Sequence, residues 1–278
     1  MLVNFKDMLK KAQEEKYAVG LFNTTDTDML QAAIEAAEKA CSPIIIGTAE
    51  VLLPSGELSL IAPSVLAMAR AAKVPVTVHY DHGLTFPRCM EALKLGFSSV
   101  MFDGSAGDPE TNIRETANVV RICHAFGATV EGEIGHVGNA DTADNAVDDL
   151  YTTPEEAVEY IAATGVDALA IAIGTAHGAY KVKPKLDIER LRKIRSATDT
   201  PLVLHGGSGL TDEDFRSAIE NGIAKVNIYT DLCNAGKRAM AEGLALDESY
   251  LAIRDRKMAA IREEVIKKMT LFGSVGKA

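Results

Sequence analysis

No apolar run in this chain of 278 residues is long enough to cross a bilayer, which takes about 20 residues in succession. The first twenty residues, MLVNFKDMLKKAQEEKYAVG, scatter charges through an amphipathic pattern and lack the unbroken apolar core of a signal peptide, so export is not expected. No Cys-x-x-Cys pair occurs. The four cysteines, Cys41, Cys89, Cys123 and Cys233, are far apart and read as reduced, mostly buried thiols of a cytoplasmic protein. Basic clusters are missing too. A net charge of −10 argues against a nucleic-acid or anionic-membrane surface, while leaving room for a local basic pocket. Hydrophobic residues, at 47%, suffice for a full core, and the length fits one large domain or two small ones.

Short apolar runs alternate with amphipathic stretches from end to end. Strands are expected at 18–22, 43–47, 74–79, 99–102, 129–133, 168–173, 202–205 and 225–228. Helices are expected between them at 27–40, 59–72, 87–95, 109–126, 153–164, 188–197 and 212–221, with an eighth beginning near Asp231. The runs PIIIG, ALAIAIG and PLVLH are continuously apolar, as in parallel strands covered on both faces. Thr153 before Pro154, Glu155 and Glu156, and Thr211 before an acidic triplet, carry helix N-cap chemistry. Eight such units without a linker point to a single (β/α)8 barrel over 1–278, with a doubly wound open sheet as the alternative. The irregular segment 135–153, GHVGNADTADNAVDDLYTT, follows the fifth strand and has the length of a lid. A further helix at 247–270, charged along one side, either packs on a neighbouring subunit or caps its own barrel.

Barrel active sites form at the C-terminal strand ends, and polar residues collect there. His82 in HYDHG, His177 in GTAHG and His205 in LHGGSG each end an apolar run and each precede a glycine. On one face of a barrel three such imidazoles can share a metal, and three ligands leave a position for water or substrate, the arrangement of a catalytic zinc. Asp103 and Glu133 read either as acceptors that fix imidazole tautomers or as ligands of another metal position, with helix capping as the plain alternative. Asp81 would point away from its neighbour His82 in a fully extended chain. At a turning strand end both can face the mouth, where Asp81 is a natural general acid or base, or simply a backbone-bonding turn residue. The glycine-rich turn from His205 to Gly209, with Ser208, Asn227 and Thr230, lies where this fold cradles phosphate, and Lys181 could balance the charge. His124 is incidental.

In this order and spacing, HYDHG, VEGEIG, GTAHGAYK, LHGGSG and KVNIYTD resemble the class II, zinc-dependent ketose-bisphosphate aldolases, a family that includes fructose-bisphosphate and tagatose-bisphosphate aldolases. The likeness runs from about Phe5 to the closing LFGSVGKA, and the compact length resembles the tagatose-type and broad ketose-aldolase branch. The resemblance implies a Zn2+ site at His82, His177 and His205, and Asp81 as the acid/base on the C4 hydroxyl of the ketose. It implies that Asp103 and Glu133 lie near the zinc and hold a second or displaced ion in some relatives. It further implies a dihydroxyacetone phosphate pocket from Gly178, Lys181, Gly206, Ser208, Asn227 and Thr230, a monovalent cation (Na+ or K+) nearby, a sugar phosphate substrate and a homodimer or homotetramer.

Two departures stand out. Where the family commonly carries a glutamate on the loop after the fifth strand, spacing puts Asp141, one methylene shorter, with Asp144 as another candidate for its proton-transfer role. Tyr229 replaces a smaller polar residue, often Asp, which suggests a different aldehyde partner or pose. Three rival readings are weaker. A Schiff-base aldolase needs a lysine in the barrel mouth, but Lys225 is read at the wrong end of its strand and Lys181 in a loop. A barrel hydrolase would carry a His-x-His pair, which the spacing of His79 and His82 does not supply. A non-catalytic sugar-phosphate-binding companion subunit would not be expected to keep Asp81 and all three histidines.

Overall fold

The computed structural model describes residues 1–55, 57–135, 138–139, 151–177 and 184–278. Eight strands, β1 (Val19–Asn23), β2 (Ile44–Ala49), β3 (Val76–Gly83), β4 (Ser99–Phe102), β5 (Thr129–Ile134), β7 (Ala168–Ile171), β9 (Leu202–Leu204) and β10 (Ile223–Ile228), close into a barrel. All neighbouring pairs are parallel, and β1 bonds to both β2 and β10, so the open-sheet alternative is overturned by closure itself. Two further short strands, β6 (Gly138–Asn139) and β8 (Ala176–His177), pair with each other beyond the ends of β5 and β7. Expected and observed strands agree to within a few residues. The largest difference is β3, which runs on to Gly83 and so carries the whole HYDHG motif.

Ten helices are described. They are α1 (Lys6–Glu14), α2 (Thr27–Ala40), α3 (Leu58–Ala71), α4 (Phe86–Leu95), α5 (Pro109–Ala125), α6 (Pro154–Thr164), α7 (Ile188–Ala197), α8 (Asp212–Glu220), α9 (Thr230–Ala245) and α10 (Tyr250–Leu271). Their starts follow local chemistry. The side chains of Asp26, Thr85, Asp108, Thr153, Asp187, Thr211 and Ser249 each accept a hydrogen bond from a first-turn N–H. Thr153 with Glu156 and Thr211 with Asp214 complete reciprocal capping boxes. None of the described helices is long and apolar enough to cross a membrane.

Two apolar regions hold the barrel. The larger lies between the outer faces of the strands and the surrounding helices. The smaller fills the barrel interior, where Phe5 and, from α1, Leu9 and Ala12 meet Val19, Leu21, Ile45, Ala170, Val203 and Ala224. The amphipathic start of the chain is therefore a plug: Phe5 is fully buried, with its ring centroid 5.8 Å from that of His79. The last helix, α10, lies along its own barrel. Its basic residues meet acidic residues of α2 and α9, with Arg254 on Asp28, Lys257 on Asp26 and Asp28, Arg262 on Glu35, and Lys268 on Asp231. That resolves the charged side of the 247–270 pattern as a contact within the chain.

Phe5→Ala should destabilise the protein by about 3–5 kcal/mol, the usual loss for a buried aromatic, read as a lower urea midpoint with an unchanged slope. Asp26 gives a pH-dependent counterpart. Burial raises its carboxyl, but hydrogen bonds from Lys257 and the Met29 N–H outweigh this and hold it below its ordinary value. A depressed carboxyl stabilises above its unfolded-state pKa, and that stability is lost as the pH falls through the folded value. Asp26→Asn should therefore lower Tm at neutral pH, with the gap to wild type closing on acidification.

Candidate active site

Along a barrel strand alternate residues face inward, and directly paired residues of parallel neighbours share a face. On β3 the inward set is Thr77, His79 and Asp81, paired with Ile45, Gly47 and Ala49 of β2. On β5 it is Thr129, Glu131 and Glu133, and on β10 it is Lys225 and Asn227, paired with Val19 and Leu21 of β1. Charged side chains therefore stack inside the barrel above the apolar plug. His82 breaks the alternation: its φ of 49° is left-handed, a conformation uncommon outside glycine, and it turns the chain so that Asp81 and His82 serve the same site.

His82 and His205 meet face to edge, with ring centroids 4.5 Å apart and planes at 88°. His82 Nδ1 lies 2.7 Å from Asp103 Oδ2, and His205 Nε2 lies 2.8 Å from Glu131 Oε1. Each ring thus commits one nitrogen to a carboxylate, and the remaining two, His82 Nε2 and His205 Nδ1, converge to 2.8 Å. Carboxylate-backed imidazoles with convergent front nitrogens are the arrangement of metal-binding histidines. Burial opposes charge on His82, but Asp81, Asp103 and Glu133 outweigh it and push its pKa up to about 10. Burial and the charge of His82 hold His205 below its ordinary value.

Asp81 lies beside this pair, with ligand atoms of Asp81, His82 and His205 all within 4.8 Å of one another. Its two oxygens accept from Asn23 Nδ2 at 2.8 Å and Asn227 Nδ2 at 3.0 Å. Burial would raise this carboxyl. The charges of His82, His205, Lys225 and His79 outweigh burial and hold it far below the usual carboxylate range. A second group, His82, Asp103 and Glu133, meets the same 4.8 Å limit. Ser105 Oγ donates within it, 2.7 Å from Asp103 Oδ1 and 3.2 Å from Glu133 Oε1. Burial, and then the Asp103 charge, raise the Glu133 carboxyl well above its ordinary value. Its buried Oε2 finds no hydrogen-bond partner among the described residues and lies 3.9 Å from His82 Nδ1 and 3.7 Å from His205 Nδ1. The donor set and this orphaned oxygen fit a cation.

The structure thus brings together Asp81, His82, Asp103, Glu133 and His205. His177 is described only through its backbone, in β8. Gly206, at φ 65°, lets the loop after β9 press on that strand: a Cβ there would run into the backbone of Ala176. The chain at His177 is therefore brought alongside His205. Ser208 Oγ accepts from the Tyr229 N–H at 3.4 Å, which ties the loops after β9 and β10 together just before Thr230 opens α9. Asn227 is committed to Asp81 and Lys225. The Tyr229 side chain packs on the outer core. Asp141, Asp144, Gly178 and Lys181 lie outside the described residues.

Residues 3–277 match the family Fructose-bisphosphate aldolase class-II. The chain belongs to the class II fructose-bisphosphate aldolase family. The fructose-bisphosphate aldolase of Thermus caldophilus is 41% identical to this family member over 306 residues, covering all of both chains. That of Geobacillus stearothermophilus is 40% identical, covering all of this chain and 99% of its own. The crystal structure of the YdjI aldolase of Escherichia coli K12 superposes with a TM-score of 0.92 at 38% identity, each chain covered in full.

One reading is corrected. Lys225 does not sit at the wrong end of its strand: β10 begins at Ile223, and the fully buried Lys225 side chain reaches Glu131 and Asn227 directly below the site. Asn23, Glu131 and Ser105 also bear on the site, and no role was read for them. For Glu131 and Lys225 the signal was present, since Glu131-x-Glu133 and Lys225-x-Asn227 put a charged residue on the same face as a site residue two positions on. Gly206→Ala should destabilise the fold by at least about 1–3 kcal/mol, because a side chain there meets both the left-handed φ and the Ala176 backbone. Urea unfolding of the variant measures it.

Proposed function

We propose that this protein is a Zn2+-dependent aldolase that reversibly cleaves a ketose 1-phosphate or 1,6-bisphosphate, of the fructose- or tagatose-bisphosphate kind. The products are dihydroxyacetone phosphate and an aldehyde such as glyceraldehyde 3-phosphate. The observation that carries the reading is the convergence of two carboxylate-backed imidazoles, His82 and His205, beside an ionised, doubly hydrogen-bonded Asp81. These two histidines, with His177 from the matching motif, would hold the ion. Bound there, Zn2+ supplies Lewis-acid polarisation of the ketose carbonyl and its neighbouring hydroxyl.

Asp81 is placed to act as a base because its carboxylate lies beside the converging histidines with both oxygens held in position by asparagine amides. It accepts the proton of the C4 hydroxyl as the C3–C4 bond breaks. The aldehyde departs, and the bonding electrons remain on the three-carbon phosphate half. A proton delivered to C3 completes dihydroxyacetone phosphate, and we assign that delivery to Asp141. The two asparagine amides fix both Asp81 oxygens, so Asn227 serves orientation of the base as well as any contact with substrate. Gly206, Ser208 and Thr230, with Gly178 and Lys181, would form the phosphate pocket, with Na+ or K+ beside it. The same resemblance supports a cytoplasmic homodimer or homotetramer.

Chelation should abolish carbon–carbon cleavage and added Zn2+ should restore it. Asp81→Asn should keep its zinc and lose turnover by on the order of 10²–10⁴-fold, and near-normal turnover removes Asp81 from this role. Offering a panel of aldehydes with dihydroxyacetone phosphate, scored by rate and product stereochemistry, identifies the aldehyde half.

A further inference from the structure

Directly under the site lies a charged residue that the mechanism above does not use. Lys225 is fully buried, and its ammonium lies 3.1 Å from Glu131 Oε1, 2.9 Å from Glu131 Oε2 and 2.7 Å from Asn227 Oδ1. Both contacts lead onward. Glu131 Oε1 also accepts from His205 Nε2 at 2.8 Å, and Asn227 Nδ2 donates to Asp81 Oδ1 at 3.0 Å. One ammonium therefore stands two bonds from a metal-site histidine on one side and two bonds from the base on the other.

Stability alone does not account for this arrangement. Taking an ammonium and a carboxylate out of water is costly, and apolar replacements of such pairs are often neutral or stabilising. The same barrel interior accepts Val203, Ala170 and Ala224 nearby without difficulty. What the ion pair does supply is direction. An ammonium only donates, so it takes the Oδ1 face of the Asn227 amide and leaves Nδ2 turned to Asp81; a methyl group at that place would let the amide turn over. The Glu131 carboxylate, fixed from below by Lys225, accepts a hydrogen bond from the His205 Nε2–H, which leaves Nδ1 aimed at His82 Nε2.

We propose that Lys225 is a positioning residue of this site: through Glu131 it sets the tautomer and orientation of His205, and through Asn227 it sets the orientation of Asp81. The proposal rests on the aldolase reading for its chemical purpose but can be tested without turnover.

The full-length variants Lys225→Met and Lys225→Met/Glu131→Gln are compared with wild type, the second because removing both charges avoids leaving a carboxylate buried alone. Long-range 15N NMR of the histidines in metal-free protein should show His205 Nε2 protonated in the wild type and a mixture of tautomers in the variants. Zn2+ affinity, measured on metal-free protein against a chromophoric chelator, should fall about 10–100-fold. Turnover of a ketose bisphosphate that the wild type cleaves should fall in kcat by on the order of 10–100-fold, with KM changed by less than about threefold. Should Lys225→Met fail to fold, the double variant decides. A folded double variant with the wild-type tautomer at His205 and Zn2+ affinity within about twofold overturns the proposal. Failure of the aldolase reading looks different, because it is the wild type that then neither holds zinc nor cleaves the sugar, while the tautomer comparison still reports on Lys225.

Discussion

Closing eight parallel strands into a small barrel fills the interior with side chains, so a charge carried by an inward position is costly there unless it finds a counter-charge or hydrogen bonds. In this chain the lower interior obeys the simplest solution and is apolar, stoppered by Phe5, Leu9 and Ala12. Higher up the inward positions turn ionic. His79, Glu131 and Lys225 form one level, and Asp81, Glu133, Asn227 and His205 the next. Glu131 meets Lys225 and His205 from two other strands, which closure of the barrel brings within reach. The cost of burial is what makes these groups selective about partners, and so about orientation.

The result is a site built in layers. His82 and His205 present two nitrogens to one point because each has its other nitrogen held from behind, by Asp103 and Glu131. The carboxylates behind them are themselves held, Asp103 by Ser105 and Glu131 by Lys225. Backbone conformation contributes at two places. The left-handed turn at His82 overrides strand alternation, and the left-handed glycine at 206 lets the segment carrying His177 close over the loop that follows His205. Neither side of this construction works alone: rings without backing carboxylates would rotate, and carboxylates without rings would repel.

Much of the architecture was legible in residue order. The runs at 168–173 and 202–205 are apolar because parallel strands bury both faces, and α2 and α7 begin and end where the periodicity places them. The motif histidine His205 and the carboxylates at 81, 103 and 133 do converge with His82. Lys225 was misplaced because its strand was read as opening at the lysine itself. Two residues earlier, Ile223 already pairs with Leu202, and that shift carries the ammonium into the barrel. The partners of Asp81 were illegible for a different reason: Asn23 and Asn227 lie 58 and 146 positions from it.

The sequence by itself determined the periodicities, the caps and the identity of the groups that end each strand, because these depend on neighbours a few residues away. Hydrophobic alternation and N-cap chemistry are local, and they sufficed to specify a barrel whose strand ends hold histidine and carboxylate. Only the tertiary structure decided which carboxylate stands behind which imidazole, that the Asp81 carboxyl is held far below its ordinary range while that of Glu133 is raised, and that Lys225 lies beneath the site. Those outcomes depend on burial and on distances between strands that have no fixed separation in sequence, and electrostatic energies change steeply with both.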